Sequence, residues 1–168
     1  SKVATLQKFY DKVELHPTQN GNFIVTDETG EQFIVDNKNN VTINEGAHIG
    51  AGVILDTSNG PIIIGKSVRI DIGALIQGPV YIGENSIINP GAKLRGNISI
   101  GPVCKIGGEL EDVIIQGYTI KQHVGYLGHS FLGEWVNLGA NTNNSDLKNN
   151  YSNVTVSYTH LTLPPNRE

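Results

Sequence analysis

From Ile64 onward an aliphatic side chain returns at every sixth position: Ile64, Ile70, Ile76, Ile82, Ile88, Leu94, Ile100 and Ile106. Four positions after each stands an apolar or small residue: Val68, Ala74, Val80, Ser86, Ala92, Ile98, Cys104 and Leu110. An amphipathic helix needs a spacing of about 3.6 and a half-buried strand needs alternation, so neither produces sixes. A strand that bends after each hexad does, and three hexads close one triangular coil of about 18 residues. The same register stands upstream at Ile43, Ile49 and Leu55, slipping by three residues around the DTSNG segment. Downstream it is expected to resume at Ile114, Ile120, Tyr126, Leu132 and Leu138, after a two-residue slip at Glu111 and Asp112. Glycine often follows the aliphatic position (Gly50, Gly65, Gly83, Gly101, Gly107, Gly133, Gly139), which reads as freedom to turn each corner. The expected fold is all-β: a single-stranded parallel β-helix of hexapeptide repeats, about five coils over residues 41–156. Its register positions point inward, each contributing about 1.5–3 kcal/mol on burial before chain entropy is subtracted.

Composition fits a turn-rich β structure. Charged residues are 17%, below the usual ~25%, and the 20 glycines in 168 residues exceed the usual ~7%. A net charge of -4 without a run of Lys and Arg argues against nucleic-acid partners. With Cys104 alone no intrachain disulfide can form, and no stretch nears the ~20 apolar residues of a membrane span. These features suggest a soluble, cytoplasmic protein with no membrane partner. No methionine occurs, even at position 1, so the chain reads as a fragment.

The ends do not repeat. Residues 1–40 read as a linker packed on the first coil, with a short amphipathic helix in residues 1–15 (SKVATLQKFYDKVEL) and two strands around Gly30 in FIVTDETGEQFIV. Residues 157–168, SYTHLTLPPNRE, abandon the pattern, resemble a translated sequencing-adaptor tail, and are set aside.

Chemistry concentrates in residues 121–151, KQHVGYLGHSFLGEWVNLGANTNNSDLKNNY. His123, Tyr126-Leu127-Gly128 and Asn137-Leu138-Gly139-Ala140 resemble the acetyltransferase half of the bifunctional bacterial enzymes with N-acetylglucosamine-1-phosphate uridylyltransferase and glucosamine-1-phosphate N-acetyltransferase activities. The likeness is closer still to a divergent bacterial branch labelled sugar nucleotidyltransferases, which shares GYLG, GEW and TNNS-type segments. The repeat likeness covers residues 41–156 and the specific motif about thirty of them.

That resemblance implies a left-handed helix, a homotrimer, acetyl-coenzyme A as co-substrate, and an amino-sugar phosphate or nucleotide sugar as acceptor. Mg2+ would belong only to a nucleotidyltransferase domain lost upstream. It implies that His123 is the general base, removing the proton from the sugar amine as it attacks the thioester. Free imidazole titrates near 6.5 and can accept a proton at neutral pH. The Ala140 backbone N–H would stabilise the oxyanion. Asn141, 18 residues after His123, would stack beside it about 4.8 Å away and orient the ring. Tyr126 and Asn137 match substrate-binding residues. Where the family holds the sugar phosphate with an Arg and a Lys, this chain has GGELED with Glu111 at the Lys position, leaving Arg95 and Lys121 as substitutes. The coils that complete the coenzyme pocket in the family do not follow.

Each site residue also has a plainer reading. His123 could be a surface histidine, Tyr126 a core residue on an inward register position, and Asn137 a solvated corner. Asn143, Asn144, Asp146 and Lys148 form a polar loop that could reach a neighbouring subunit's site or simply be solvated. His129 falls on the adjacent face, so the two histidines should not share a metal, and no metal is expected. Trp135 packs on the coil surface or at a trimer interface, and Cys104 fills the core. Two functions remain: an N-acetylating, acyltransferase-like β-helix of a sugar nucleotidyltransferase, or a non-catalytic trimerisation and regulatory β-helix of such an enzyme.

Overall fold

A computed structural model describes residues 14–19, 22–26, 29–37 and 40–144. These hold seventeen strands and no α-helix, hence no helix long and apolar enough to cross a membrane. The chain winds into a three-sided parallel β-solenoid of about five coils. The first face carries β4 (Val41–Ile43), β7 (Ile62–Ile64), β10 (Val80–Ile82) and β13 (Ile98–Ile100), all parallel. The second carries β5 (His48–Ile49), β8 (Arg69–Ile70), β11 (Ile87–Ile88), β14 (Lys105–Ile106) and β16 (Ile120–Lys121). The third carries β6 (Ile54–Asp56), β9 (Leu75–Gln77) and β12 (Lys93–Arg95). Two longer strands, β15 (Glu109–Ile115) and β17 (Tyr126–Leu132), run around the corner from the third face to the first and join them into one sheet.

The inward set matches the sixfold count from Ile43 to Ile106, with every register residue at most 3% exposed. The first coil runs 21 residues from Ile43 to Ile64, and the next two run 18 each, to Ile82 and Ile100. The three extra residues form the Thr57–Gly60 turn, where Asp36 Oδ1 accepts the Thr57 N–H (2.9 Å) and hydroxyl (2.8 Å).

Beyond Ile106 the expected register needs correction. The coil from Ile100 to Ile115 has only 15 residues, and the next, to Leu132, has 17. Where Ile88 leads to Leu94 in six residues, Ile106 leads to their neighbour Leu110 in four, so two residues are lost at Gly107–Gly108. One more is lost at Glu111–Asp112. Ile115, Lys121 and Leu127 therefore face inward, while Ile114, Ile120 and Tyr126 are their outward neighbours. Leu132 and Leu138 do pack against the core.

The glycines after the aliphatic positions serve a different purpose from the one expected. Gly50, Gly65, Gly83, Gly101 and Gly107 do not have positive φ; left-handed corners fall instead at residues such as Gly52, Gly73 and Gly91. A Cβ at Gly65 would lie 2.7 Å from the Ile82 carbonyl oxygen, and one at Gly83 2.6 Å from that of Gly101. At Gly101 it would collide with the Gln116 carbonyl. Close approach of successive coils excludes a side chain here. Gly101→Ala is expected to cost about 1–3 kcal/mol or more through forced backbone displacement, read as a lowered urea midpoint.

At the start, β1 (Glu14–Pro17), β2 (Phe23–Thr26) and β3 (Gln32–Val35) form an antiparallel meander, and β3 continues the third face alongside β6. Residues 14 and 15 pair with Thr26 and Val25, so they are strand rather than the end of a helix; residues 1–13 lie outside the described set. Val25, Phe33 and Val35 join the column's buried cluster and cover apolar surface that the first coil would expose.

Candidate functional site

His123 lies on the corner between the second and third faces, with an exposed imidazole and Nε2 3.2 Å from the Gln122 amide nitrogen. The backbone beneath it is tied down. Three successive carbonyls accept hydrogen bonds: Gln122 from Asn89 Nδ2 (2.8 Å), His123 from Lys121 Nζ (2.8 Å) and Val124 from the Asn141 N–H (3.0 Å). The turn is thus fixed by its backbone while the imidazole projects to solvent.

Ala140 and Asn141 form the same corner one coil later. Asn141 does not stack on His123 as an 18-residue repeat would have it. Ile120 pairs with Asn137, an offset of 17, and the Asn141 N–H reaches Val124, so Asn141 sits over the Val124–Gly125 turn with φ of 57°. Ala140 is exposed, and its N–H has no hydrogen-bond partner among the described residues. Asn137 is exposed on the second face, just before this corner.

Tyr126 opens the third face after His123. Rather than filling the core, it lies outside Leu127 with its hydroxyl donating to Glu111 Oε2 (3.3 Å). Its N–H donates to Asn143 Oδ1 (2.6 Å). Asn144 accepts from the Gly128 N–H (2.8 Å) and donates to the Gly128 carbonyl (2.7 Å). These amide side chains satisfy the open edge of β17. Asp146 and Lys148 lie outside the described residues.

The two expected phosphate-binding cations both have partners within the chain. Arg95 Nη1 lies 2.9 Å from Glu109 Oε1 and 3.4 Å from Glu111 Oε2; the Glu109 hydrogen bond and then the charge of Glu111 raise its pKa. Two carboxylates already meet this guanidinium. Lys121 is 2% exposed and occupies the interior ladder Ile49, Ile70, Ile88, Ile106, Lys121. This corrects its assignment to substrate: the side chain points away from the outer face, drawn in by the Gly107 (3.2 Å) and His123 carbonyls.

Desolvation lowers the Lys121 pKa below its ordinary 10.5. The unfolded chain thus holds the proton more tightly than the native one, so stability rises with pH between the lowered native value and 10.5. Melting wild type and Lys121→Met across that window should show the difference moving in favour of wild type as pH rises, and flat below it.

One cluster escaped the sequence reading because it sits in the shortened coil. Asn97, Asp112 and His129 stack at the corner between third and first faces, all with left-handed φ (52°, 53° and 46°). Asn97 Nδ2 donates to Asp112 Oδ1 (2.8 Å), and His129 Nε2 lies 3.1 Å from Asp112 Oδ2. It is at the far end of the third face from His123. No group of three or more His, Cys, Asp or Glu forms a metal-binding cluster among the described residues. At the remaining corner Trp135 stacks on Tyr118, ring centroids 4.7 Å apart. The buried Cys104 fills the core as expected.

Residues 61–96 match the bacterial transferase hexapeptide family, six repeats. The match supports a hexapeptide-repeat transferase and covers two regular coils. Of the candidate site residues it includes only Arg95, so it bears on the repeat and not on the His123 corner. No curated protein matches the chain.

Proposed function

We propose that this column is the acyltransferase-like β-helix of a sugar nucleotidyltransferase, N-acetylating an amino-sugar phosphate from acetyl-coenzyme A, with the chain acting as a homotrimer. The observation that carries this reading is the His123 corner: an exposed imidazole on a turn held at three carbonyls, with an Ala140 N–H that has no partner among the described residues at the same corner one coil away. His123 would take the amine proton as nitrogen attacks the thioester, and the Ala140 N–H would meet the developing oxyanion.

With Arg95 engaged by two carboxylates and Lys121 inside, another cation must hold the phosphate. Exposed Lys105 is suited, since it and Asn137 flank Ile120 on the outer second face. The same commitment of Arg95 and Lys121 favours the second reading, a non-catalytic trimerisation and regulatory β-helix. An assay of the full-length protein for acetyl transfer to a panel of amino-sugar phosphates, wild type beside His123→Ala, separates them. Transfer by wild type alone supports the enzyme, and no transfer by wild type supports the non-catalytic module.

A further inference from the structure

Among the described residues only one lysine is buried, and its surroundings explain why it can be. The coils before it put isoleucine at this ladder position, and the sixfold pattern offers no reason for a charge. The two residues lost at Gly107–Gly108 do. The tightened corner turns the Gly107 and His123 carbonyls toward the interior, where Lys121 Nζ donates to both, at 3.2 and 2.8 Å. A Cβ at Gly108 would fall 2.9 Å from Nζ and 2.9 Å from the His123 oxygen, so the absent side chain makes room for the amine. An aliphatic residue at 121 would leave the buried Gly107 carbonyl and the partly buried His123 carbonyl without this donor, which is costlier than a missing contact.

We propose that Lys121 is a positioning residue: from inside the column it clamps the backbone of His123 and sets the direction in which the imidazole leaves the corner. Its relevance to catalysis rests on reading His123 as the base; its effect on the histidine does not. Unlike the Asn89 and Asn141 contacts on either side, the ammonium holds the catalytic candidate's own carbonyl, bridging it to the Gly107 carbonyl of the preceding coil. A shift of that carbonyl rotates the residue about its own backbone and carries the ring with it.

The test is Lys121→Met in the whole chain, which keeps length and apolar stem and removes the donors. Ring signals of the histidines are followed by NMR, with His123→Ala giving the assignment and His48 and His129 as internal controls. The expected result is a folded variant in which His123 signals move and those of His48 and His129 stay. In the transfer assay kcat should fall about 10–100-fold with KM little changed. Lys121→Gln, which restores a donor, should return the His123 signals part-way and serves if the Met variant does not fold. Unchanged His123 signals, equal movement of all three histidines, or failure of both variants to fold would overturn the proposal. If wild type transfers no acetyl group while the His123 signals still move alone, the clamp stands and the enzymatic reading falls.

Discussion

Replacing His123 by Ala is expected to lower acetyl transfer by about 10²–10⁴-fold, the usual worth of a positioned general base. The imidazole is exposed and its carbonyl and neighbours are held through backbone groups that alanine retains. Stability should therefore stay within about 0.5 kcal/mol of wild type, as for a surface change whose one lost side-chain contact, to the Gln122 amide, is solvent-exposed. Steady-state rates at saturating acetyl-coenzyme A, with thermal melts of the same samples, check both halves. Equal rates for variant and wild type would remove His123 from the mechanism, and a large drop in melting temperature would show that its side chain supports the fold.

Ile88→Lys should abolish the folded column at room temperature or come close to it. Ile88 is fully buried between Ile70 and Ile106 in the ladder that Lys121 also occupies. Here the coils are regular, and nearby carbonyls are spent on inter-coil bonds: Ile88 to the Asp71 N–H and Ile106 to the Asn89 N–H. A lysine two coils from Lys121 would find no inward-facing acceptor. Depressing a buried lysine by the 3–5 units seen for such groups corresponds to about 4–7 kcal/mol, comparable with the whole stability of many domains. Far-UV circular dichroism should show loss of the cooperative β transition. A melting temperature near that of wild type would mean the interior tolerates charge without specific acceptors, which would also weaken the account of Lys121.

The contrast between those two lysines shows how far the residue pattern reaches. Between Ile43 and Ile106 the recurrence of one aliphatic in six was enough to name the inward side chains, because each coil there repeats the length of the last or adds a visible loop. After Ile106 the pattern still offered an unbroken apolar series, Ile114, Ile120 and Tyr126, one residue away from the true one. Ile114 and Ile115 are equally apolar, and preferring Ile120 over Lys121 is what hydrophobicity alone recommends. The site inherits the same shift: Asn141 moves off His123, Tyr126 moves to the outer face, and Lys121 moves inside. The Asn97–Asp112–His129 contacts arise from the shortening itself and leave no periodic trace.

What the amino-acid order decided by itself was the three-sided parallel column, its regular core, and the placing of a histidine and a glycine-alanine turn on late corners, since these follow from a spacing carried along the chain. Only the tertiary structure decided how many residues the late coils spend, and with that which groups face inward and which cations are committed. The reason is that coil length is set by hydrogen bonding to the coil before, and two carbonyls turned inward at a tight corner outweigh the preference for an aliphatic side chain.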